Sequence, residues 1–303
     1  MKKTQKVAFK YLNKIQFLKT LRIIVLVYFL FWITTYLVEN KMALIAFTEI
    51  EIISIAFLIL IYFSSMLFST LQFQAILKYC NCQVRSSEVF WLNAYNSAIN
   101  LLLPLKSGIA FRGYYLNKKY ALPWKKYIYA SLASQLLLML IPLLLSFFLY
   151  CFYYLNLNFS LSVVSFIVCL LSLIIISDRY IKYLRSINNE NKGLGSVVFL
   201  LIYSFGFIFS WSVLLYFCFI FLGYEYSFHQ VFLLQSLLLL TSLINLTPGN
   251  IGVKEGAAFL MASYLDINND HAVFALLLER SIYSIIIIIF GGVGLLTNKL
   301  KTK

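Results

Sequence analysis

Six charged side chains stand where the surrounding sequence is apolar or broken by proline and glycine, and they are the first candidates for chemistry. They are Lys106, Arg112, Lys254, Glu255, Glu279 and Arg280. A charged side chain at membrane depth is energetically costly, and it is a functional candidate by default. The cations can bind an anionic group such as a phosphate, and the carboxylates can hold the cations in place or carry a proton.

The composition indicates a polytopic membrane protein. The chain has 303 residues, of which 62% are hydrophobic and 12% are charged, and its mean hydropathy is +0.86. A soluble domain could not cover this much apolar surface with so few charges. The net charge of +14 does not indicate nucleic-acid binding, because the basic residues form short runs between apolar stretches. Such runs orient a membrane protein and contact anionic headgroups.

Neither a metal site nor a cofactor site is predicted. Cys80-x-Cys82 is one short pair without a second pair, and His229 and His271 stand alone. No HExxH or Walker A motif occurs. We predict no cleavable signal peptide; residues 1–20 form a basic segment instead. This segment is either an amphipathic helix on an anionic leaflet or a solvated basic tail.

Six apolar stretches are long enough to cross a bilayer, since a span needs about 20 mostly apolar residues. They cover about 21–38, 52–77, 127–154, 158–177, 196–222 and 271–297. Two further stretches, 89–105 and 230–247, are marginal because they contain Asn or Gln and run into Pro104 and Pro248.

The charge distribution favours one topology. Of the 25 Lys and Arg residues, 22 lie in the N-terminal segment, the C-terminal tail and three connections, and these regions should face the cytoplasm. Two of those connections, 78–88 and 106–126, flank a marginal stretch. We therefore predict that 89–112 is a re-entrant hairpin, and that 230–260 is a second hairpin entering from outside. The alternative keeps eight full spans and places one basic loop outside.

The two marginal stretches resemble each other. INLLLPLKSGIAFRGYYL (99–116) and LINLTPGNIGVKEGAAFL (243–260) each carry an Asn before a proline and a Gly four residues after it. The two prolines are 144 residues apart, and each half has the order span, span, hairpin, span. This pattern predicts an inverted-topology repeat, with repeat one over about 21–154 and repeat two over about 158–297.

The predicted fold is therefore an all-α polytopic membrane protein with six full spans and two re-entrant helical hairpins. These eight membrane segments form a single domain over 1–303. Inverted repeats are typical of secondary transporters, whose substrate sites lie near the midplane at interrupted helices.

The broken helices define a candidate substrate site. Free N–H groups near Asn250, at the start of the second limb, would bind an anion such as a lipid phosphate beside Lys254. The first hairpin offers Lys106 and Arg112 in the same way. The alternative is that the glycines serve only close helix packing. The predicted site residues are Lys106, Gly108, Arg112, Pro248, Gly249, Asn250, Gly252, Lys254, Glu255, Glu279 and Arg280.

One ion pair is predicted inside this site. Glu279 and Arg280 are neighbours on a helix and cannot face each other, so each needs a partner elsewhere. We predict that Arg280 pairs with Glu255 and thereby joins the second hairpin to the last span. The alternative is that both charges reach the outer interface.

Two motifs resemble those of a known family. Pro248-Gly249-x-Ile251-Gly252-x-x-Glu255 resembles the Pro-Gly-x-(Ile/Leu)-Gly-x-x-Glu signature of the lysylphosphatidylglycerol synthase transmembrane family, the flippase-like domain of the multiple-peptide-resistance proteins. Leu103-Pro104, Gly108 and Arg112 are similar to its first-half signature, and Arg280 is similar to an arginine in its final helix. The resemblance covers essentially the whole chain and implies lipid translocation.

The chain departs from the family pattern mainly in its first half. Leu105-Lys106 stands where the family usually has Gly-Arg, and Ile109 stands where it often has Glu. Ser134-Gln135 replaces a common pair of an acid and an arginine. We therefore expect a differently tuned first-half site. We expect no soluble aminoacyl transferase domain after residue 303.

These observations favour a lipid flippase-like transporter that is not an enzyme. The expected substrate is an anionic phospholipid or a polyprenyl-phosphate-linked lipid, and neither a cofactor nor a nucleic acid is expected. The expected location is the inner membrane of a bacterial cell, with both termini cytoplasmic. A membrane-embedded transferase, or an accessory subunit in envelope lipid or polysaccharide assembly, is the alternative. A homodimer and envelope-assembly partners stay open.

Overall fold

The computed structural model describes residues 47–103, 106–153, 164, 167, 195–241 and 247–296. The regular structure of these residues is entirely helical. The helices are α1 (Ile52–Tyr79), α2 (Ser86–Leu102), α3 (Ser107–Tyr120), α4 (Trp124–Tyr153), α5 (Gly195–Phe221), α6 (Phe228–Thr241), α7 (Val253–Ala262) and α8 (Asn269–Leu296). Two short 3-10 turns, Pro248–Asn250 and Ser263–Leu265, precede and follow α7.

Four of these helices are long and apolar enough to cross a membrane. They are Ile52–Lys78 in α1, Trp124–Tyr153 in α4, Val198–Phe221 in α5 and Asn269–Gly291 in α8. They correspond to the predicted spans 52–77, 127–154, 196–222 and 271–297, which confirms an all-α, multi-pass membrane protein. The predicted span 21–38 and the basic segment 1–20 lie outside the described residues, and so does the predicted span 158–177 except for residues 164 and 167.

The two marginal stretches form short helices. At 1.5 Å per residue, α2 with 17 residues is about 25 Å long and α6 with 14 residues is about 21 Å long. Each is shorter than the hydrocarbon core of a bilayer, which is about 30 Å thick. α2 ends before Pro104 because the residue preceding a proline favours extended backbone, and Leu103 has φ −120° and ψ 140°.

The order of helices in α1–α4 recurs in α5–α8. Each set consists of a long helix, two short helices and a second long helix. Left-handed backbone occurs at corresponding places in the two sets: Asn81 with Gly223, Lys106 with Asn250, and Ala121 with Asp266. Residues other than glycine adopt positive φ only where the fold requires it. Each of these connections therefore contains a left-handed residue, and the connection before α7 contains two more, Gly249 and Gly252.

Three buried apolar clusters hold the helices together, and the smallest of them joins α4, α5 and α6 through Ile141, Ile208 and Phe232. One of the two larger clusters joins α1, α2 and α5–α8, and its fully buried members include Leu58, Leu214 and Phe219. The other larger cluster joins α1–α5, and Phe73 and Tyr127 are among its large buried side chains. Since α1 contributes to both larger clusters, it connects the packing of the two sets.

Candidate functional site

A cavity of about 330 Å³ lies between the two sets of helices. All eight described helices contribute side chains to its wall. Seven of the predicted site residues line it, namely Lys106, Arg112, Gly249, Asn250, Lys254, Glu279 and Arg280. Of the others, Gly108, Gly252 and Glu255 are buried but do not line the cavity, and Pro248 begins the 3-10 turn before α7.

Glu255 and Arg280 form the predicted ion pair between α7 and α8. Arg280 Nη1 contacts Glu255 Oε1, and Arg280 Nη2 donates a hydrogen bond to the Gly249 carbonyl. The Glu255 side chain is 1% exposed and that of Arg280 is 16% exposed, so neither charge reaches out to an interface. The pairing prediction is confirmed, and the alternative of interfacial charges is wrong.

Lys254 and Glu279 form a second ion pair between the same two helices. Lys254 Nζ lies 2.6 Å from Glu279 Oε1, and the Glu279 side chain is 2% exposed. Lys254 Nζ also lies 5.4 Å from the centre of the Trp211 ring, within range of a cation–π interaction. Lys254 therefore has a protein carboxylate as its counter-charge.

The start of α7 differs from the expectation. The sequence predicts that the second limb of the hairpin starts near Asn250, whereas α7 begins at Val253. Asn250 and Gly252 have φ of 60° and 84°, which a right-handed helix cannot contain. The Gly252 N–H donates to Glu255 Oε2 at 2.7 Å, so Glu255 caps its own helix. This N–H group, expected to face an anion, is already bonded.

Arg112 of α3 is buried, with 6% of its surface exposed, and its partners are neutral. Its Nη1 donates to Asn93 Oδ1 at 2.8 Å, and its Nε donates to Tyr127 Oη at 3.2 Å. The guanidinium carbon lies 3.7 Å from the centre of the Phe73 ring. Stacking on an aromatic face partly compensates a buried cation. No carboxylate bonds Arg112 in the part of the chain that the structure describes.

Lys106 is the other first-half cation, and it too has a neutral partner. Its Nζ donates to Gln135 Oε1 at 2.8 Å. Lys106 precedes α3 in a left-handed conformation with φ 51°, like Asn250 before α7. Across the described residues, it forms no bond to a carboxylate.

Gly108 and Gly249 serve close packing against α2. A Cβ atom on Gly108 would lie 2.1 Å from the carbonyl oxygen of Asn96. At Gly249, where φ is +59°, a Cβ would lie 2.9 Å from Leu101 Cδ1. The packing alternative therefore accounts for both glycines. It also brings the turn before α7 into contact with α2.

Several residues of the cavity wall were not predicted as site residues. Gln235, Asn93 and Asn96 are among the Asn and Gln residues that make the two short stretches marginal, and Gln135 belongs to a departure from the family pattern. Their polarity in apolar helices was a usable signal. Trp211 gave no such signal, because an aromatic side chain in an apolar helix is ordinary. Within the described ranges, no group of three His, Cys, Asp or Glu side chains is placed to hold a metal ion.

The fold and the site together define a multi-pass helical membrane protein with a charged internal cavity. The family model for the lysylphosphatidylglycerol synthase TM region matches residues 16–291. Because this match covers most of the chain, the protein belongs to that family, and the resemblance seen in the sequence is confirmed. Comparison with curated proteins and with solved structures gives no match.

Proposed function

We propose that the protein is a flippase-like transporter that moves an anionic or lipid-linked amphiphile between the two leaflets. One observation carries the proposal. The cavity wall holds four cationic side chains, of which Lys254 and Arg280 are paired with carboxylates while Lys106 and Arg112 have neutral partners in the described structure. A lipid phosphate would supply the missing counter-charge.

The proposed transport path follows from an inverted repeat with two re-entrant hairpins. The lengths of α2 and α6, the recurring helix order and the matched left-handed residues support this arrangement. So does the contact between Gly249 and Leu101, which places the second-half turn against α2. In such a repeat, rocking of one half against the other exposes a midplane site alternately to each side. We place both termini on the cytoplasmic side of the inner membrane.

The proposed cargo is an anionic phospholipid or a polyprenyl-phosphate-linked lipid. The headgroup would enter the cavity, and the hydrocarbon tails would remain in the bilayer. Large apolar side chains on the outer surfaces of the long helices, such as Leu60 of α1 and Ile288 of α8, suit contact with lipid tails. In this proposal the chain moves its lipid without changing the lipid's covalent structure.

The test is translocation of a fluorescent phosphatidylglycerol in proteoliposomes containing the full chain. Dithionite quenches the probe in the outer leaflet, so the amount protected over time reports translocation. Arg112→Gln should lower the rate by about 10-fold to 100-fold, because a hydrogen bond to a charged group contributes about 1.5–3 kcal/mol.

The matched control is Lys118→Gln, which removes the same charge from an exposed position on the same helix. This variant should translocate like the wild type. Absence of translocation by the wild type, or equal rates for Arg112→Gln and Lys118→Gln, would contradict the proposed function.

A further inference from the structure

Most of the buried side-chain polar atoms without hydrogen-bond partners in the described residues belong to the cavity wall. The described residues have 11 such side-chain atoms, and seven of them belong to cavity-lining residues. They are Asn93 Nδ2, Asn96 Oδ1, Trp211 Nε1, Gln235 Nε2, Gln235 Oε1, Asn250 Oδ1 and Glu279 Oε2. Buried polar groups are normally bonded, because leaving one unbonded is destabilising. These atoms are concentrated around one space, so a polar group that reaches them there could bond both donors and acceptors.

Three of these side chains are anchored at one end and unbonded at the other. Asn93 Oδ1 accepts from Arg112, Asn250 Nδ2 donates to Thr241, and Glu279 Oε1 pairs with Lys254. Their second polar atoms are the unbonded ones. Each anchor fixes the orientation of the side chain before a ligand arrives. This is the preorganisation expected of a binding site.

Gln235 is the most informative of these residues. Its side chain is fully buried on α6, and both of its amide atoms are unbonded. It therefore offers one donor and one acceptor side by side, whichever way the amide is turned. An apolar side chain of similar size would avoid the cost of burying two unbonded polar atoms.

The unbonded set contains both donors and acceptors, and this selects the ligand chemistry. A bare phosphate bonds donors only, and a metal or ammonium ion bonds acceptors only. A hydroxyl group does both. We propose that the cavity recognises a phosphate-linked headgroup rich in hydroxyl groups, such as a polyol or a sugar. Lys106 and Arg112 bind the phosphate, and the amides of Asn93, Gln235 and Asn250 together with Glu279 bind the hydroxyls. This inference rests on the proposed function.

The test measures displacement of a fluorescent short-chain phosphatidylglycerol from the full chain in nanodiscs. Dioctanoyl phosphatidylinositol and dioctanoyl phosphatidic acid are the competitors. Phosphatidylinositol should displace the probe at a concentration at least about 10-fold lower. Charge cannot explain this preference, since a phosphate monoester carries about −1.5 to −2 charges at pH 7 and would favour phosphatidic acid.

Two variants of neighbouring residues test whether Gln235 causes the preference for phosphatidylinositol. Gln235→Leu should reduce the advantage of phosphatidylinositol to less than about threefold without weakening phosphatidic acid. Its melting temperature without ligand should be no lower than that of the wild type, because the change removes two unbonded polar atoms. Ser236→Ala is the matched control, since Ser236 Oγ is also buried and unbonded but Ser236 does not line the cavity. It should change neither result.

The outcomes separate this inference from the proposed function. Equal displacement by the two lipids, or an unchanged preference in Gln235→Leu, would overturn the hydroxyl-recognition site. If Arg112→Gln still weakened both lipids, the proposed function would stand without this inference. If neither lipid displaced the probe from the wild type, both would fail.

Discussion

The two halves of the cavity treat their cations differently. In the second half, Lys254 and Arg280 each contact a buried carboxylate, and the two pairs join α7 to α8. In the first half, Lys106 and Arg112 contact neutral amides, a phenol and an aromatic ring. The second-half cations of the cavity are therefore neutralised by carboxylates, whereas the first-half cations are not.

The difference separates a structural role from a binding role. A buried ion pair satisfies its own charges, so it holds helices together but has little attraction left for a ligand. A cation held by amides and a ring keeps its net charge and needs a counter-charge from outside. The second-half pairs would therefore fix the turn and α7, while the first-half cations would bind the anion.

Breaking a second-half pair should have the largest effect on stability. Arg280→Ala leaves Glu255 as a buried carboxylate without its counter-charge and removes the bond to the Gly249 carbonyl. Removing one partner of a buried pair typically costs about 3–5 kcal/mol. We expect a clear loss of thermal stability in detergent, with misfolding of much of the expressed protein.

A double variant keeps this prediction testable where the single variant folds poorly. Arg280→Ala combined with Glu255→Gln removes the orphaned charge and should recover part of the lost stability. Thermal unfolding of the purified variants measures the recovery. Equal melting temperatures for the wild type and Arg280→Ala would show that the pair does not support the fold.

This pair also shows how far sequence reasoning reaches. Neighbouring charges on one helix must find separate partners, and the pairing predicted with this rule, Arg280 with Glu255, is confirmed. The partner of Glu279 was not specified, and Lys254 was interpreted as an anion-binding residue. Several pairings of the four charges agree with the sequence, and only the packing of α7 against α8 selects one.

The fold was predictable to a similar degree. Long apolar runs gave four spans within a few residues, because length and hydropathy alone determine them. The start of α7 was three residues wrong, since the positive φ at Asn250 depends on local turn geometry that composition does not encode. The bonding of the cavity amides could not be predicted, because it depends on side-chain directions from eight different helices.

A substitution that gives the first half an ion pair like those of the second half should have an effect of intermediate size. Gln135→Glu places a carboxylate where the amide oxygen now lies 2.8 Å from Lys106 Nζ, and so gives the first half an ion pair like those of the second. Translocation of fluorescent phosphatidylglycerol should fall by about 10-fold, which corresponds to about 1.4 kcal/mol. Thermal stability should not fall, since the new carboxylate has a cation beside it.

The control for this exchange is Gln135→Leu, which removes the acceptor but leaves the positive charge of Lys106 in the cavity. It should translocate the anionic lipid better than Gln135→Glu does. Equal translocation by the wild type and Gln135→Glu would show that Lys106 does not attract the cargo.

The smallest effect is expected at the ion pair between Glu88 and Lys119, two first-half residues that do not line the cavity. Glu88, at the start of α2, accepts hydrogen bonds from Lys119 and Tyr115 on one oxygen and from Tyr120 on the other. Partial burial raises the pKa of Glu88, but the hydrogen bonds from Lys119, Tyr120 and Tyr115 and the charge of Lys119 outweigh it. The net pKa therefore lies below its ordinary value of 4.5.

Because the folded-state pKa of Glu88 is lowered, its stabilising contribution is present above pH 4.5 and is lost as the pH falls through the folded-state pKa. Glu88→Gln should therefore be less stable than the wild type at pH 7, and this difference should vanish in more acidic solution. We expect less than about 1 kcal/mol, since the Lys119 side chain is 35% exposed and partly solvated ion pairs contribute little. Thermal unfolding of both proteins, from pH 7 down to values below the ordinary pKa of 4.5, measures the difference in stability. A loss at pH 7 as large as that of Arg280→Ala would remove the distinction between a peripheral first-half pair and the buried pairs of the second half.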